Sequence, residues 1–425
     1  MEELMQYIWQ HRLWPHQDMH TVTGQKVHVI DPGLLNHNAG PDFFNAKIKI
    51  GGEMWVGNIE IHVRASDWMR HNHHKDPAYD SVILHVVGHD DLAIKRTNGE
   101  TIPQLHLPCS PDFYTRFQKL VNNRGNELAC ADRISSLPHV LTKSWIDSLA
   151  YQRIYAKSDR INELVQRFNG NWEEACYITV ARALGFGINS DAFERLALSL
   201  PLRFMHKHSD SLMSLEALLF GQAGFLDGPM ADRYMEQLKT EYQFLSNKFN
   251  LKKPESLGWK MSRMRPANFP HRRIAILAAL IECGFRLLRS IIDATSSDDI
   301  TALFNVQLTG YWSTRYNFGP DCGSNVPGLS QQSLNTLLIN VAVPICYTYG
   351  LAHDQDQLCD KAIDLLHKTP AERNSIVSMF THAGIDCTDA FTSQALIEMR
   401  RSYCETRKCL YCRIGHQILS TEVKP

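Results

Sequence analysis

The hydrophobic period of this chain changes once, near residue 138, and that change demands two kinds of architecture in one polypeptide. Before it, apolar residues recur at every second position. Phe44, Ala46, Ile48 and Ile50 alternate with Asn45, Lys47 and Lys49, and Trp55, Ile59, Ile61 and Val63 face away from Asn58, Glu60 and His62. A period of two belongs to half-buried strands. A short strand over Val27–Ile30 ends at the turn signal Asp31-Pro32-Gly33, and Gly51-Gly52 suits a tight turn between the two longer strands. Val82–Val87 is a continuous apolar run around His85, as in a central strand covered on both faces. A hairpin around Asn98-Gly99 is expected across residues 92–107. Ahead of the strands, Leu4, Met5, Ile8, Trp9 and Leu13 fall at helical spacing and predict one opening helix over residues 2–14.

From Pro138 the period is helical almost throughout: 145–168, 172–184, 192–200, 231–249, 273–292, 329–349 and 393–403, punctuated by Gly185, Gly187, Gly221, Gly224, Pro266 and Pro270. The expectation is an α+β protein. Residues 1–135 form a mixed α/β domain, and residues 136–425 form a large all-helical domain that ends in a cysteine cluster. A chain of 425 residues exceeds what one hydrophobic core usually supports, so two domains also suit the length.

Composition narrows the function classes. With a formal net charge of -1, there is no global positive field to hold nucleic acid, so any such contact must use a local patch. The acidic start Met1-Glu2-Glu3 does not read as a secretory signal. No uncharged apolar stretch reaches the ~18 to 20 residues that span a bilayer. A cytoplasmic location without membrane contact is the resulting expectation. Eleven cysteines scattered over a long chain suit reduced thiols and one metal site better than a disulfide framework.

The chemistry concentrates in the strands. Asn38-Ala39-Gly40-Pro41-Asp42 delivers Asp42 from a turn at the head of one strand, and Glu60 and His62 project from one face of the next. An acidic pair on adjacent strands can share a hard divalent ion such as Mg²⁺ or Mn²⁺. The pattern Gly40-Pro41-Asp42-Phe43 followed by Gly57-Asn58-Ile59-Glu60-Ile61-His62 resembles the signature of PD-(D/E)XK nucleases, with histidine in place of the lysine. The resemblance implies a restriction-endonuclease-like core in which Asp42 and Glu60 bind the metal. It also implies that His62 stands in for the lysine that orients or activates water, and that Glu2, or alternatively Glu3, supplies a further acidic ligand from the opening helix. A neutral histidine brings a base or a ligand where lysine brings a fixed charge. Lys47 or Lys49 on the neighbouring strand is the candidate to replace that charge. The wider chain resembles an uncharacterised bacterial family, domain-of-unknown-function family 2851, over 38–43, 57–63, 76–87, 265–273 and 403–415.

The run His71-Asn72-His73-His74-Lys75-Asp76 reads as a loop entering the Val82 strand, with His73, His74 and Asp76 lining the pocket beside Lys47. Its histidines and aspartate also suit a zinc hydrolase, although no helical ligand repeat such as His-Glu-x-x-His occurs. His85, inside an apolar strand, reads as a core histidine.

Near the C-terminus, Cys404, Cys409 and Cys412 form C-x4-C-x2-C. Three thiols this close suit a structural zinc completed by a fourth ligand, with Cys130, Cys387 and His416 as candidates. Some nucleases of the PD-(D/E)XK superfamily hold an iron–sulfur cluster with three C-terminal cysteines and one distant one, so that alternative stands beside zinc. Arg263, Arg265, Arg272 and Arg273 interleave with Trp259, Phe269 and His271 and are candidates for nucleic-acid contact. Three functions remain in play: a Mg²⁺- or Mn²⁺-dependent phosphodiesterase acting on DNA or RNA, a catalytically silent nuclease fold acting as a binding or scaffold module, and a zinc hydrolase using the His71–Asp76 loop. Protein partners are not readable from the chain.

Overall fold

The computed structural model describes residues 1–14, 19–36, 38–107, 111–122, 128–262 and 264–420. It is a mixed α+β protein with 55% helix and 11% strand, the strands all lying before residue 107. Two compact units emerge. The first comprises residues 1–145, 382–385 and 400–425, and the second comprises 146–381 and 386–399.

The first unit is built on one sheet of seven strands: β1 (Met19–His20), β2 (Lys26–Asp31), β3 (Leu34–Leu35), β4 (Phe43–Ile50), β5 (Glu53–Arg64), β6 (Val82–His89) and β7 (Gln104–His106). The order is β1-β2-β4-β5-β6-β7, with β3 paired to β4. Strands β1 to β5 pair antiparallel, whereas β5, β6 and β7 run parallel. Gly51 and Gly52, with φ of 59° and 96°, make the tight β4–β5 turn, where two consecutive positive φ values favour glycine.

The opening helix α1 (Glu2–His11) buries Leu4, Met5, Tyr7, Ile8 and Trp9 and stops where Arg12 turns left-handed. These side chains join Phe43, Ile48, Ile59, Ile61, Leu84 and Val86 in the main core on one face of the sheet. A smaller cluster of Trp68, Val82, Ile94 and Ile102, with Tyr79 against it, stands apart from it.

Three expectations change. The hairpin turn at Asn98-Gly99 forms, but it carries only the single bridge Lys95↔Thr101, because β7 leaves to pair with β6. The C-terminal segment does not belong to the helical unit: Leu410 and Leu419 enter the core of the sheet, so residues 400–425 fold with the first 145. Finally, one helical stretch, Gln331–Ala352, is long and apolar enough to cross a membrane, contrary to the reading above, yet 72% of its window is buried inside the protein. Such burial is that of a core helix.

The second unit is helical. His139–Arg167, Trp172–Leu184, Ser190–Ser199 and Arg233–Phe249 match the sequence periods closely. The stretch expected over 273–292 breaks into Pro270–Glu282 and Leu287–Asp293 around Gly284, whose φ is 92°. Pro270–Glu282 is buried from Pro270 through Ile281, as a helix enclosed on all sides must be.

A candidate metal centre on the mixed sheet

Strand alternation fixes which side chains meet. Ile59 and Ile61 point into the main core, so Glu60 and His62 project from the opposite face of β5. In the parallel register His85 of β6 lies beside Glu60 and faces the same way. Asp42 sits at the head of β4. A bulge between Phe43 and Ala46, with Asn45 at φ 58°, lets both of those residues enter the core although an unbroken strand would turn one of them out.

The carboxylates touch through backbone amides. Asp42 N–H donates to Glu60 Oε2 at 3.1 Å, and Ile61 N–H donates to Asp42 Oδ2 at 2.8 Å. Gln6, one turn beyond Glu2 on α1, donates its amide to Asp42 Oδ1 at 2.9 Å. Glu2 is close enough for its charge to push up the pKa of both Asp42 and Glu60.

The other oxygen of Glu60 faces imidazoles. Glu60 Oε1 lies 3.2 Å from His73 Nε2 and 3.4 Å from His62 Nε2, and His62 Nε2 lies 3.2 Å from His71 Nδ1. The three histidine donor atoms all fall within 4.8 Å of one another. Behind them, His62 Nδ1 and His85 Nε2 share a hydrogen bond of 2.8 Å. His73 stacks on Tyr79 with ring centroids 3.7 Å apart, and the Trp68 ring meets His62, His73 and His85 edge-on.

The histidines arrive on a short, well-anchored loop. Helix α2 (Asp67–Arg70) is pinned by Asp67, which accepts from Arg64 N–H and pairs with Arg70. His71 ends that helix, and Asn72 turns left-handed at φ 62°, a conformation asparagine tolerates, before His73. This reversal turns His71 and His73 toward one point.

Burial sets the ionisation of the cluster. It pushes Asp42 up to about 7, with the charge of Glu60 as the next cause, and pushes Glu60 up to about 8, with the charge of Glu2 adding to it. It holds His62 down to about 2, assisted by His85, His73 and His71, and His85 down to about 3. No lysine or arginine among the described residues pairs with Asp42 or Glu60. Carboxylates gathered without a cation, next to neutral imidazoles that can donate lone pairs, are a donor set for a metal ion.

The remaining candidates divide. His73 is in the cluster, whereas His74 makes no contact with it, and its buried Nδ1 has no hydrogen-bond partner among the described residues. Asp76 caps the Pro77–Tyr79 turn by accepting from Ala78 N–H. Lys47 is exposed and pairs with Val56, four positions along β5 from Glu60 and so about 13 Å away at the rise of a strand. It does not replace the missing lysine. Arg70 stands closer: its side chain is 71% exposed, and its charge bears on His62. Gln6 escaped sequence reasoning, and His71 entered it only through the zinc-hydrolase loop. The i, i+4 spacing of Gln6 from Glu2 was the available signal for the first, and His71 carried none beyond membership of the loop.

Cys130 lies with Cys404, Cys409 and Cys412. Burial raises the pKa of Cys130, and the three other thiols raise it further; Cys404 is pushed up to about 12 and Cys409 to about 11 by burial first and neighbouring thiols second. Ile414 and Gly415 donate backbone N–H groups to Cys412. A Cβ on Gly415 would sit 2.1 Å from Cys409 O, so the tight knuckle requires glycine there. Of the other candidates, His416 is engaged by Tyr7 at 2.5 Å and by Ser420 at 3.3 Å, and Cys387 lies against Asp389 O at 3.9 Å.

The basic patch is corrected. Arg272 is buried and donates to the carbonyls of Trp312, Arg315, Val326 and Pro327 at 2.7 to 3.1 Å. Arg273 is buried with its guanidinium 4.4 Å from the Phe186 ring centroid and bonded to Asn268. Neither can reach a phosphate, because each is spent on holding its own unit together. Arg265 is exposed, and Arg263 lies outside the described residues.

Compared with known proteins, residues 2–375 match the model of a family described as "Protein of unknown function (DUF2851)". No curated protein matches the chain, and no solved structure does.

Proposed function

Because the chain belongs to the DUF2851 family, whose description names no activity, its chemistry has to be read from its own site, and we propose a metal-dependent phosphodiesterase with a PD-(D/E)XK-like centre that acts on DNA or RNA. One observation carries the reading: acidic groups from three separate elements, Glu2, Asp42 and Glu60, lie close enough for their charges to act on one another, with no lysine or arginine paired to Asp42 or Glu60 among the described residues and with His62 in the motif position.

Asp42, Glu60 and Glu2 would hold a divalent ion, which when bound would supply Lewis-acid polarisation of a phosphoryl oxygen and of an attacking water. The protein's own groups prepare the rest. Ile61 N–H and Gln6 hold Asp42 in one orientation. His85 holds His62 by its Nδ1, which leaves Nε2 directed at Glu60 and the loop histidines. The exposed guanidinium of Arg70 supplies positive charge near the centre, in the role the motif lysine would have had.

The test is cleavage of labelled single- and double-stranded DNA and RNA by the full chain with Mn²⁺ or Mg²⁺. Asp42→Ala and Glu60→Ala should abolish cutting, and cutting that survives both would sink the proposal. Binding without cleavage would move the protein to the silent-scaffold reading. A second reading, a zinc hydrolase of a smaller substrate, is favoured by His71 and His73 standing within ligand range of His62, with Glu60 against His73.

The four clustered thiols belong to the same proposal as a separate structural centre. Cys130, Cys404, Cys409 and Cys412 are soft donors of the kind that hold zinc, with an iron–sulfur cluster as the alternative, and their sulfurs would have to draw closer together around either. Metal analysis of the protein and of Cys409→Ser separates the two. A colourless, metal-free protein would remove both.

A further inference from the structure

A carboxylate motif of this kind calls for an oxygen-ligated ion, yet the donor atoms that approach most closely are mainly nitrogens. We propose that His62 Nε2, His71 Nδ1, His73 Nε2 and Glu60 Oε1 form a four-ligand site for a first-row transition ion, Zn²⁺ foremost, and not for Mg²⁺. The inference shares Glu60 with the phosphodiesterase reading and deepens it by naming the metal.

Ligands about 2.0 to 2.2 Å from a tetrahedral centre stand roughly 3.3 to 3.6 Å from each other. Here Glu60 Oε1 to His73 Nε2 is 3.2 Å, Glu60 Oε1 to His62 Nε2 is 3.4 Å, and His62 Nε2 to His71 Nδ1 is 3.2 Å. Three imidazole nitrogens from one strand and one loop lie within 4.8 Å of one another, and Glu60 Oε1 touches two of these histidines, a gathering that a small ion would draw together. Two oxygen or nitrogen atoms can also sit this close through an ordinary hydrogen bond, but a hydrogen bond joins a pair, whereas these contacts link four groups.

The support around the ligands has the form expected of a metal shell. A ligating imidazole commonly hands its second nitrogen to a fixed partner, and His62 Nδ1 meets buried His85 at 2.8 Å. Tyr79 stacks on His73 and fixes that ring. His71 is exposed and gives the ion a way in. Glu60 turns its other oxygen to Asp42 N–H, so one carboxylate joins the imidazole group to the acidic group. Mg²⁺ demands oxygen ligands and keeps its waters, whereas imidazole suits zinc and its neighbours.

The experiment uses the full chain, stripped with chelator and reloaded, with zinc measured by mass spectrometry and affinity by competition with a chromophoric chelator. His71→Ala changes an exposed side chain and should leave the fold intact by circular dichroism; His73→Ala is the second variant. Each should lose one equivalent of zinc and weaken binding by roughly 100-fold or more, beyond what removal of an outer partner causes, while Cys409→Ser retains that equivalent. Cobalt bound in the Cys409→Ser protein should show four-coordinate visible absorption without thiolate charge-transfer bands. Undiminished zinc content in both histidine variants overturns the assignment, as does displacement of zinc by equimolar Mg²⁺. The two readings fail separately: zinc bound at these residues without phosphodiester cleavage keeps this site and removes the phosphodiesterase, whereas Mg²⁺-driven cleavage intact in His71→Ala and His73→Ala does the reverse.

Discussion

Both compact units bury ionisable side chains, and they treat them in opposite ways. In the helical unit, Arg272 gives its two terminal nitrogens to four backbone carbonyls, one of them belonging to Trp312. The indole of the same Trp312 donates to Glu216 at 3.0 Å, and Tyr234 donates to that carboxylate at 2.5 Å. Donors and acceptors match, and the network closes on itself. In the sheet unit, Asp42 and Glu60 lie side by side with the charge of Glu2 nearby, and the nearest groups are histidines held neutral. A buried polar cluster satisfied by its own chain is structural, and one that gathers like charges is built for a partner.

Four measurements would break or sharpen this contrast. The largest effect belongs to Arg272→Met, which removes a buried guanidinium and its bonds to four carbonyls and should cost about 3 to 5 kcal/mol in chemical unfolding; a loss under about 1 kcal/mol would end the claim that this arginine holds the unit together. Next, Glu60→Gln in metal-free protein should be neutral at pH 7 and stabilising above pH 8, since glutamine matches the protonated carboxyl in shape and cannot ionise. A loss of several kcal/mol, as for Arg272, would place Glu60 among the structural groups.

Third, pH separates the two kinds of group. Carboxyls whose folded pKa is raised, to about 7 for Asp42 and about 8 for Glu60, contribute stability that is complete below the unfolded value and is lost as pH rises through the folded one. His62 and His85, depressed to about 2 and 3, act in the other sense, but only below their ordinary value near 6.5. Above about pH 7.5 the histidines are almost wholly neutral folded or unfolded, so metal-free protein should lose stability as pH rises from there through 8. Glu60→Gln should flatten that slope, and saturating zinc should abolish it. A slope unchanged by both would show that the carboxylates are not coupled to folding. The smallest effect belongs to Arg265→Ala, an exposed change that should stay within about 0.5 kcal/mol, in contrast to its buried neighbours Arg272 and Arg273.

Strand period, read along the chain, was enough to place Glu60 and His62 on a common face and to bound β4 at Phe43 and Ile50. It could do so because alternation is a local property, decided by which of two faces a residue occupies. The C-x4-C-x2-C spacing likewise announced a thiol cluster, since a short segment brings its own members together. What local pattern could not supply was distance between segments remote in the chain. That Gln6 reaches Asp42, that His73 reaches Glu60 while His71 reaches His62, and that Cys130 joins the C-terminal thiols all depend on how remote segments meet around the sheet.

The arginines make the same point from the other side. Arg265, Arg272 and Arg273 look alike as a basic run, but a loop over residues 312–327 lays its carbonyls on one of them and Phe186 covers another. By itself, then, the amino-acid sequence determined the α+β order, the motif face and the cysteine spacing. Tertiary packing alone decided which ionisable groups are matched by donors and acceptors and which carboxyls lie together beside neutral imidazoles, because desolvation and hydrogen-bond matching exist only once distant segments have been brought together.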